Sequence, residues 1–390
     1  MRTVSEEAKP GRVPVLDGLR GIAILLVMFR HSVDGMSLAT PIDRVVYQLG
    51  CLGSNGVDVF FVLSGFLITG ILLDTRGRSD YFSRFYFRRT VRIFPLYYIT
   101  LAALFLLAPR FVDPRATSFL MDSGGKQIWY WTYLSNWLFA SRGYYGGLAH
   151  FWSLAVEEQF YVLWPTVVLI AGPRRMPAVC LSAIGLTVLA RVACAVTDVS
   201  MLAIYVMTIT RLDGLAVGSL LASVARRNGG LARFRSWYAP VATASMLLLV
   251  SLIGAEWGHG RTSLVMLVGA LPVAVVSGAL MALSLILPPT SWLAAHLSSR
   301  VLRFFGKYSY GLYVLHPLVY ASVRRCWADD GLPAIAGSLL PGHLAFAATA
   351  MSASVIAALL SWHLWEKHWL RLKERLPSGA SAQGGSWLRY

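Results

Sequence analysis

The stretch LDGLRGIAILLVMFRH, residues 16–31, has the length of a membrane helix and yet carries Asp17, Arg20, Arg30 and His31. Ionisable groups are costly in hydrocarbon, and they tend to face the interior of a helix bundle or a water-filled cavity. Arg20 and His31 are eleven residues apart, about three helical turns, so both point to nearly the same side, roughly 16 Å apart along the axis. The stretch therefore predicts a helix with a fixed cation near one end and a titratable imidazole much deeper in the membrane.

The composition of the whole chain is that of a membrane protein. The 390 residues are 56% hydrophobic and 14% charged, with a mean hydropathy of +0.58, whereas soluble domains are nearer ~45–50% apolar and ~25% charged. Mostly apolar runs of about 18 residues recur along the chain, which predicts an all-α, polytopic transmembrane helical bundle in the cell membrane. The net charge of +16 does not indicate a nucleic-acid partner, because Lys and Arg gather in the cytoplasmic loops of membrane proteins.

Ten spans are predicted, at approximately 16–34, 57–74, 91–109, 152–171, 178–197, 203–225, 237–256, 263–287, 308–325 and 343–365. With the N-terminus in the cytoplasm, 22 Lys and Arg residues fall in inner segments and 8 in outer loops. This asymmetry predicts that both termini are cytoplasmic. We expect a cytoplasmic segment at 1–15, a membrane domain at 16–366 and a partly disordered cytoplasmic tail at 367–390.

Four arginines lie at the cytoplasmic entry to the third predicted span. Arg84, Arg88, Arg89 and Arg92 occur within FSRFYFRRTVRIFPLYY, residues 82–98. Membrane anchoring accounts for Arg84 and remains the alternative for the others. Guanidinium groups also bind phosphate through a planar, permanently charged fork of donors, and residues three or four apart share a helix face. The segment therefore favours a site for a phosphate-bearing small molecule from the cytoplasm.

Two apolar stretches supply candidate carboxylates. Asp58 begins GVDVFFVLSGFLIT, residues 56–69, where it is either a helix-terminal carboxylate near the favourable dipole end or part of a site. HFWSLAVEEQFYVLWP, residues 150–165, contains Glu157 and Glu158. Adjacent residues cannot share one helix face, so we expect at most one of these carboxylates to point into the bundle. Glu157, which lies on one side with aromatic residues at i+3, i+4 and i+7, is the candidate.

Other polar residues have structural interpretations. Arg211 and Asp213 in the sixth span predict an internal Arg–Asp arrangement that satisfies both charges, and His316 before Pro317 is read as a helix-end histidine near the outer end of the ninth span. The four cysteines have no metal-ligand spacing, and the sequence contains no HExxH, GxSxG or Walker pattern. No metal or tightly bound cofactor is predicted.

Taken together, these motifs resemble the integral-membrane acyltransferase-3 family, which O-acylates sugars of bacterial surface polysaccharides and some antibiotics. The matching stretches run in order through nearly the whole chain, and they are LDGLRGIAILLVMFRH, GVDVFFVLSGFLIT, FRRTVRIFPLYY, WSLAVEEQFYVLWP, RLDGLAVGSLLA, KYSYGLYVLHP and SWHLWE. The resemblance implies that the family's R-x10-H pattern falls on Arg20 and His31, its RxxR pattern on Arg89 and Arg92, and its glutamate on Glu157. It also implies a bundle of ten or eleven helices that takes an acyl group from coenzyme A.

A mechanism follows as a hypothesis. Arg89 and Arg92, with Arg88, would hold the phosphates of acetyl-CoA or another acyl-CoA as co-substrate, and Arg20 would add charge there or orient the pantetheine arm. His31 would act as general base on the acceptor hydroxyl or carry the acyl group, and a carboxylate, Glu157 or Asp58, would orient its imidazole.

The acceptor is expected to be a sugar or glycosylated molecule of unspecified identity, and the oligomeric state is open. Many relatives have a fused extracytoplasmic hydrolase-like domain that this chain is too short to hold, so we expect a second transfer step to need another protein. The alternative function is secondary transport of an amphipathic or anionic solute, which also needs buried charge.

Overall fold

The computed structural model describes residues 13–36, 38, 40–111, 126–143, 148–256, 267–268, 270–328 and 339–372, and all regular structure in these ranges is helical. The main helices are α1 (Pro14–Ser32), α2 (Pro41–Cys51), α3 (Gly56–Thr75), α4 (Tyr81–Ala102), α5 (Ser135–Arg142), α6 (Phe151–Val196), α7 (Met201–Val206), α8 (Thr208–Ala225), α9 (Arg235–Glu256), α10 (Ala270–Ile286), α11 (Trp292–Leu297), α12 (Arg300–Ala328) and α13 (Leu340–Ser361). The predicted all-α class is confirmed.

Five helical stretches of the described residues are long and apolar enough to cross a membrane, and they are Pro41–Thr75, Tyr81–Phe111, Phe151–Val196, Met201–Ala225 and Leu340–Arg371. Helix α1 falls outside this set because its charged residues make it more polar. Each predicted span overlaps a helix, but the number of crossings and the side of the termini stay predictions. The predicted cytoplasmic segment up to residue 12 and the tail beyond residue 372 lie outside the described residues.

Helix α6 contains a break that separates the fourth predicted span from the fifth. Gly172 has φ 65° and ψ 174°, a backbone conformation open to glycine but not to most other residues, and Pro173 follows it. A break leaves carbonyl oxygens of the preceding turn without helical partners. Arg76 supplies donors to one of them, with its Nε and Nη2 atoms 3.2 and 3.0 Å from the Leu169 oxygen. This arginine therefore binds a helix end in addition to carrying positive charge.

The first helix packs closely against α11 and α12. A Cβ atom added at Gly306 would lie 1.8 Å from the Asp17 carbonyl oxygen, and one added at Gly18 would lie 1.7 Å from that of Leu297. Only glycine allows backbones to approach so closely, as is common where membrane helices associate. The charged helix α1 is thus held in the interior of the bundle, which is the position predicted from its ionisable residues.

Two buried ion pairs join α8 to its neighbours. Arg211 donates to Asp58 Oδ1 on α3 at 2.7 Å, and Arg191 on α6 donates to Asp213 Oδ2 at 2.7 Å. Arg211 and Asp213 are thus both paired with an opposite charge inside the bundle, as predicted, but each partner lies on another helix. Residues two apart lie on nearly opposite sides of a helix, so each side chain reaches a different neighbour. The pairs fix the relative positions of α3, α6 and α8.

Candidate active site

Three of the predicted arginines lie together. On α1, Arg20 donates to Asp17 Oδ1 at 2.9 Å. Arg89 and Arg92 on α4 lie within electrostatic range of Arg20 and of each other. Arg88 lies beside Arg89. The carboxylates within electrostatic range of these guanidiniums are those of Asp17, Glu157, Glu158 and Glu366. Guanidinium groups bind phosphate through a planar fork of donors, so the chemistry of this cluster suits a phosphate-bearing ligand.

A chain of polar contacts continues from Arg89 into the bundle. Its guanidinium carbon lies 5.4 Å from the centroid of the Tyr161 ring. The Tyr161 hydroxyl donates to Ser64 Oγ at 3.1 Å, and Ser64 in turn donates to Glu157 Oε1 at 2.6 Å. These contacts connect α4, α6 and α3, and they fix the predicted site carboxylate in a defined position.

The prediction that at most one of the two adjacent glutamates points into the bundle is wrong. Glu158 is only 9% exposed, and Glu157 faces α3 through Ser64. The reason is the position of α6, because residues 151–156 just before the pair are all buried. A helix end with protein on every side has no lipid face, so neighbouring residues about 100° apart can both be enclosed.

Three imidazole rings meet near the C-terminal end of α1. The rings of His31 and His316 are in edge-to-face contact with centroids 4.8 Å apart, and the ring of His150 lies 6.1 Å from that of His316. His316 Nε2 is 3.4 Å from His31 Nδ1. His316 and His150 are buried, at 0% and 5% exposure, whereas His31 is partly exposed. Of the three residues, His31 is therefore the most exposed.

The interpretation of His316 as a helix-end residue is wrong, since α12 continues through Pro317 to Ala328. Proline lacks the N–H group that would bond to the carbonyl four residues earlier, which here belongs to Tyr313. His316 Nδ1 lies 3.1 Å from that oxygen and 2.8 Å from the Leu312 oxygen. The histidine side chain thus supplies the donor that proline lacks, and the helix is not interrupted.

The structure does not bring Asp58 to the imidazole of His31. Asp58 is held by Arg211, while the His31 ring contacts the Val27 carbonyl oxygen, 2.9 Å from Nδ1, and His316. Glu157 likewise contacts Ser64. Orientation of His31 by a carboxylate stays a prediction, and the side chain found in contact with its ring is another histidine. Among the described residues, no group of three or more His, Cys, Asp or Glu is arranged to hold a metal ion.

Comparison with known proteins gives the family. A family model described as an acyltransferase domain matches residues 13–363, a range that contains the arginine cluster, Glu157 and all three histidines. The chain belongs to the acyltransferase-3 family. It is accordingly a membrane protein. No solved structure matches it.

Curated acyltransferases resemble this acyltransferase-3 chain over most of its length. It is 30% identical over 327 residues to the peptidoglycan O-acetyltransferase OatA of Listeria monocytogenes, covering 78% of this chain and 49% of the relative. It is 30% identical over 332 residues to the putative peptidoglycan O-acetyltransferase YrhL of Bacillus subtilis, covering 80% and 49%. The O-acetyltransferase OatA of Staphylococcus aureus is 28% identical over 355 residues, with coverage of 83% and 53%. The chain spans about half the length of these relatives.

Sequence reasoning missed several residues of the acyltransferase-3 site. Ser64 and Tyr161 lie within stretches that were singled out, but nothing in their spacing indicates that they contact each other across 97 positions. His150 begins the stretch HFWSLAVEEQFYVLWP, and no spacing in the sequence relates it to His31 or His316. The available signal for His316 was its place in the stretch KYSYGLYVLHP, and the proline that follows it concealed its position inside a helix.

Proposed function

We propose that this chain is a membrane O-acyltransferase. It moves an acetyl or another short acyl group from cytoplasmic acyl-CoA to a hydroxyl group of a sugar-containing acceptor. The relatives' names make peptidoglycan the first acceptor to test, and family membership favours acyl transfer over the transporter alternative. The observation that carries the proposal is that Arg20, near Arg89 and Arg92 of α4, and the partly exposed His31 lie toward opposite ends of one interior helix, α1.

The two ends of α1 suit the two parts of this reaction. Coenzyme A carries phosphates, which Arg20, Arg89 and Arg92 would bind by charge-assisted hydrogen bonds. Its thioester lies at the far end of a long flexible arm, and the arm would extend along α1 toward His31.

His31 supplies the acid–base chemistry in this scheme. Its imidazole takes the proton of the acceptor hydroxyl while the oxygen attacks the thioester carbonyl. This attack forms the new carbon–oxygen bond. Collapse of the tetrahedral intermediate re-forms the carbonyl, breaks the carbon–sulfur bond and releases the coenzyme A thiolate, which takes the proton from the imidazolium. Histidine suits both transfers because its ordinary pKa is near 6.5. Alternatively, the imidazole itself first accepts the acyl group and then passes it to the hydroxyl.

The test is acyl transfer by His31→Ala and His31→Gln protein in membrane vesicles, measured as coenzyme A released from acetyl-CoA when a peptidoglycan fragment is supplied. Loss of general-base catalysis predicts a fall of about 10²–10⁴-fold. His296→Gln is the matched control, because His296 Nδ1 contacts the backbone oxygen four residues earlier at 2.8 Å, as His31 does, but on exposed α11. Turnover at the wild-type rate in folded His31→Ala protein would remove His31 from the mechanism.

The donor site is tested by Arg89→Ala, with Arg110→Ala as control for loss of an exposed arginine. Removing one charge-assisted phosphate contact, at about 1.5–3 kcal/mol, predicts a KM for acetyl-CoA at least about 10-fold higher. An unchanged KM would show that Arg89 does not bind the donor, and membrane anchoring would then be its role. If vesicles release no coenzyme A with any sugar acceptor but accumulate an anionic solute, the transporter alternative is supported.

A further inference from the structure

The hydrogen-bond partners of His316 determine which of its ring nitrogens carries the proton. Its Nδ1 atom lies 2.8 Å from the Leu312 oxygen and 3.1 Å from the Tyr313 oxygen. Carbonyl oxygens only accept hydrogen bonds, so Nδ1 carries the hydrogen. A neutral imidazole has one N–H group, and Nε2 of His316 is therefore an acceptor.

The same reasoning applies to His31. Its Nδ1 atom lies between two acceptors, the Val27 oxygen at 2.9 Å and His316 Nε2 at 3.4 Å. Both contacts are hydrogen bonds only if Nδ1 of His31 carries the hydrogen. The lone pair of His31 is then on Nε2, the nitrogen on the far side of the ring from these acceptors. His150 does not donate to the Nε2 lone pair of His31, because its own Nε2 lies 3.3 Å from the Val314 oxygen.

We propose that His316 is a positioning residue that, together with the Val27 carbonyl oxygen, holds His31 in the tautomer whose Nε2 lone pair faces the substrates. This inference rests on the proposed function, in which His31 is the base or the acyl carrier. Both roles require an unprotonated Nε2, whereas a free imidazole exchanges between the two tautomers. The site thus uses a neutral histidine in the place where many hydrolases use a carboxylate to orient the base. A neutral partner is suited to a buried position, because a charge at full burial is costly.

The surroundings of His316 make it a rigid support. Its side chain is fully buried, and two backbone oxygens fix the orientation of the ring. One of them is the Tyr313 oxygen, which is free to accept from His316 because Pro317 has no N–H group to bond to it. A ring held in this way presents Nε2 to His31 at a constant position. The two rings are in edge-to-face contact at an interplanar angle of 82°, with His316 Nε2 3.4 Å from His31 Nδ1.

Two substitutions separate the proposed role from a structural one. The terminal oxygen and nitrogen of asparagine are separated from Cβ by the same number of bonds as Nδ1 of histidine. Those of glutamine are separated from Cβ by the same number of bonds as Nε2 of histidine. His316→Asn therefore keeps the donor to the backbone of α12 but loses the acceptor for His31. His316→Gln keeps the acceptor and loses the donor. A structural role predicts that asparagine is the better replacement, and a positioning role predicts that glutamine is.

The experiment measures acetyl-CoA-dependent acyl transfer to peptidoglycan fragments by the full chain in vesicles, with folding checked by thermal unfolding in detergent. We expect His316→Asn to lower kcat by about 10- to 100-fold, the size of effect seen when an outer partner of a metal-bound imidazole is lost. The KM for acetyl-CoA should not change, because the arginine cluster is intact. His316→Gln should retain activity within a few-fold of wild type.

The outcomes distinguish this inference from the proposed function. Wild-type activity of His316→Asn, or activity equal to or above that of His316→Gln, overturns the positioning role while an inactive His31→Ala leaves the proposed function standing. Activity of His31→Ala overturns both. If neither His316 variant folds, the residue serves the fold and the inference is overturned. Low activity of the asparagine variant with recovery in the glutamine variant supports it.

Discussion

Replacing Gly306 by alanine tests whether the close approach of α1 and α12 sets the geometry of the site. A Cβ atom at Gly306 would lie 1.8 Å from the Asp17 carbonyl oxygen, and Cβ contacts below 3.0 Å essentially never occur. Neither atom can rotate away, because one belongs to the backbone and the other is fixed to it. Interiors are close-packed, so the two helices must separate by about 1.2 Å or more at this point.

The displacement acts directly on the proposed donor site. Asp17 is the residue that binds Arg20, so moving its backbone moves this guanidinium relative to α12. A misplacement of about 1 Å can cost about 100-fold in rate, and overpacking costs about 1–3 kcal/mol of stability. We therefore expect kcat/KM for acetyl-CoA to fall about 100-fold in Gly306→Ala protein and its thermal unfolding midpoint in detergent to fall.

Gly185→Ala is the matched control. Gly185 also lies inside a helix, α6, but a Cβ atom there would meet nothing within 4 Å. Activity should be unchanged, and alanine should be stabilising by about 0.5–1 kcal/mol because it loses less backbone entropy on folding. Wild-type kcat/KM in Gly306→Ala protein would refute the argument that this helix contact positions the site.

Three further substitutions test other contacts. Asp58→Asn removes the negative charge of the buried 2.7 Å pair with Arg211, so it should destabilise the protein by about 3–5 kcal/mol. The measurement is thermal unfolding in detergent, and an unchanged midpoint would contradict this. Ser64→Ala removes a donor to the site carboxylate and should lower kcat about 10-fold, as expected for a hydrogen bond to a charged group, with the KM for acetyl-CoA as the internal control. A hydrogen bond from Arg78 lowers the pKa of Asp80, which lies between α3 and α4, to about 2. The difference in stability between wild type and Asp80→Asn should therefore be constant from pH 5 to 8, and it should disappear as the pH falls below about 4 toward the folded-state pKa. A difference that varies between pH 5 and 8 would refute this assignment.

Local sequence patterns predicted the helices and the arginine cluster well. The first span was expected at 16–34, and α1 occupies Pro14–Ser32. The apolar run was unambiguous, and helical periodicity fixed which residues share its face. Arg89 and Arg92 lie three positions apart on one helix, so their proximity follows from spacing alone. Their approach to Arg20 required the resemblance to a family, since no local rule brings α1 next to α4.

Contacts between distant parts of the chain could not be predicted. Asp58 and Arg211 are 153 positions apart, and a carboxylate at a helix start gives no indication of which cation it will meet. The burial of Glu158 depends on how completely other helices surround α6, which a single helix face does not reveal. Pro317 was misleading for another reason. Proline commonly marks a helix end, and only the side chain of the preceding histidine explains why α12 continues.

The contact between His31 and His316 joins residues 285 positions apart, and this separation has a consequence for synthesis. At about 5–20 residues per second, roughly 15–60 s pass between translation of the two histidines. The first helix must therefore enter the bilayer long before its main neighbour exists. Arg20 enters already matched by Asp17, one turn away on the same helix, which reduces the cost of inserting its charge. The proposed reaction centre therefore does not exist in the nascent chain until His316 has been translated.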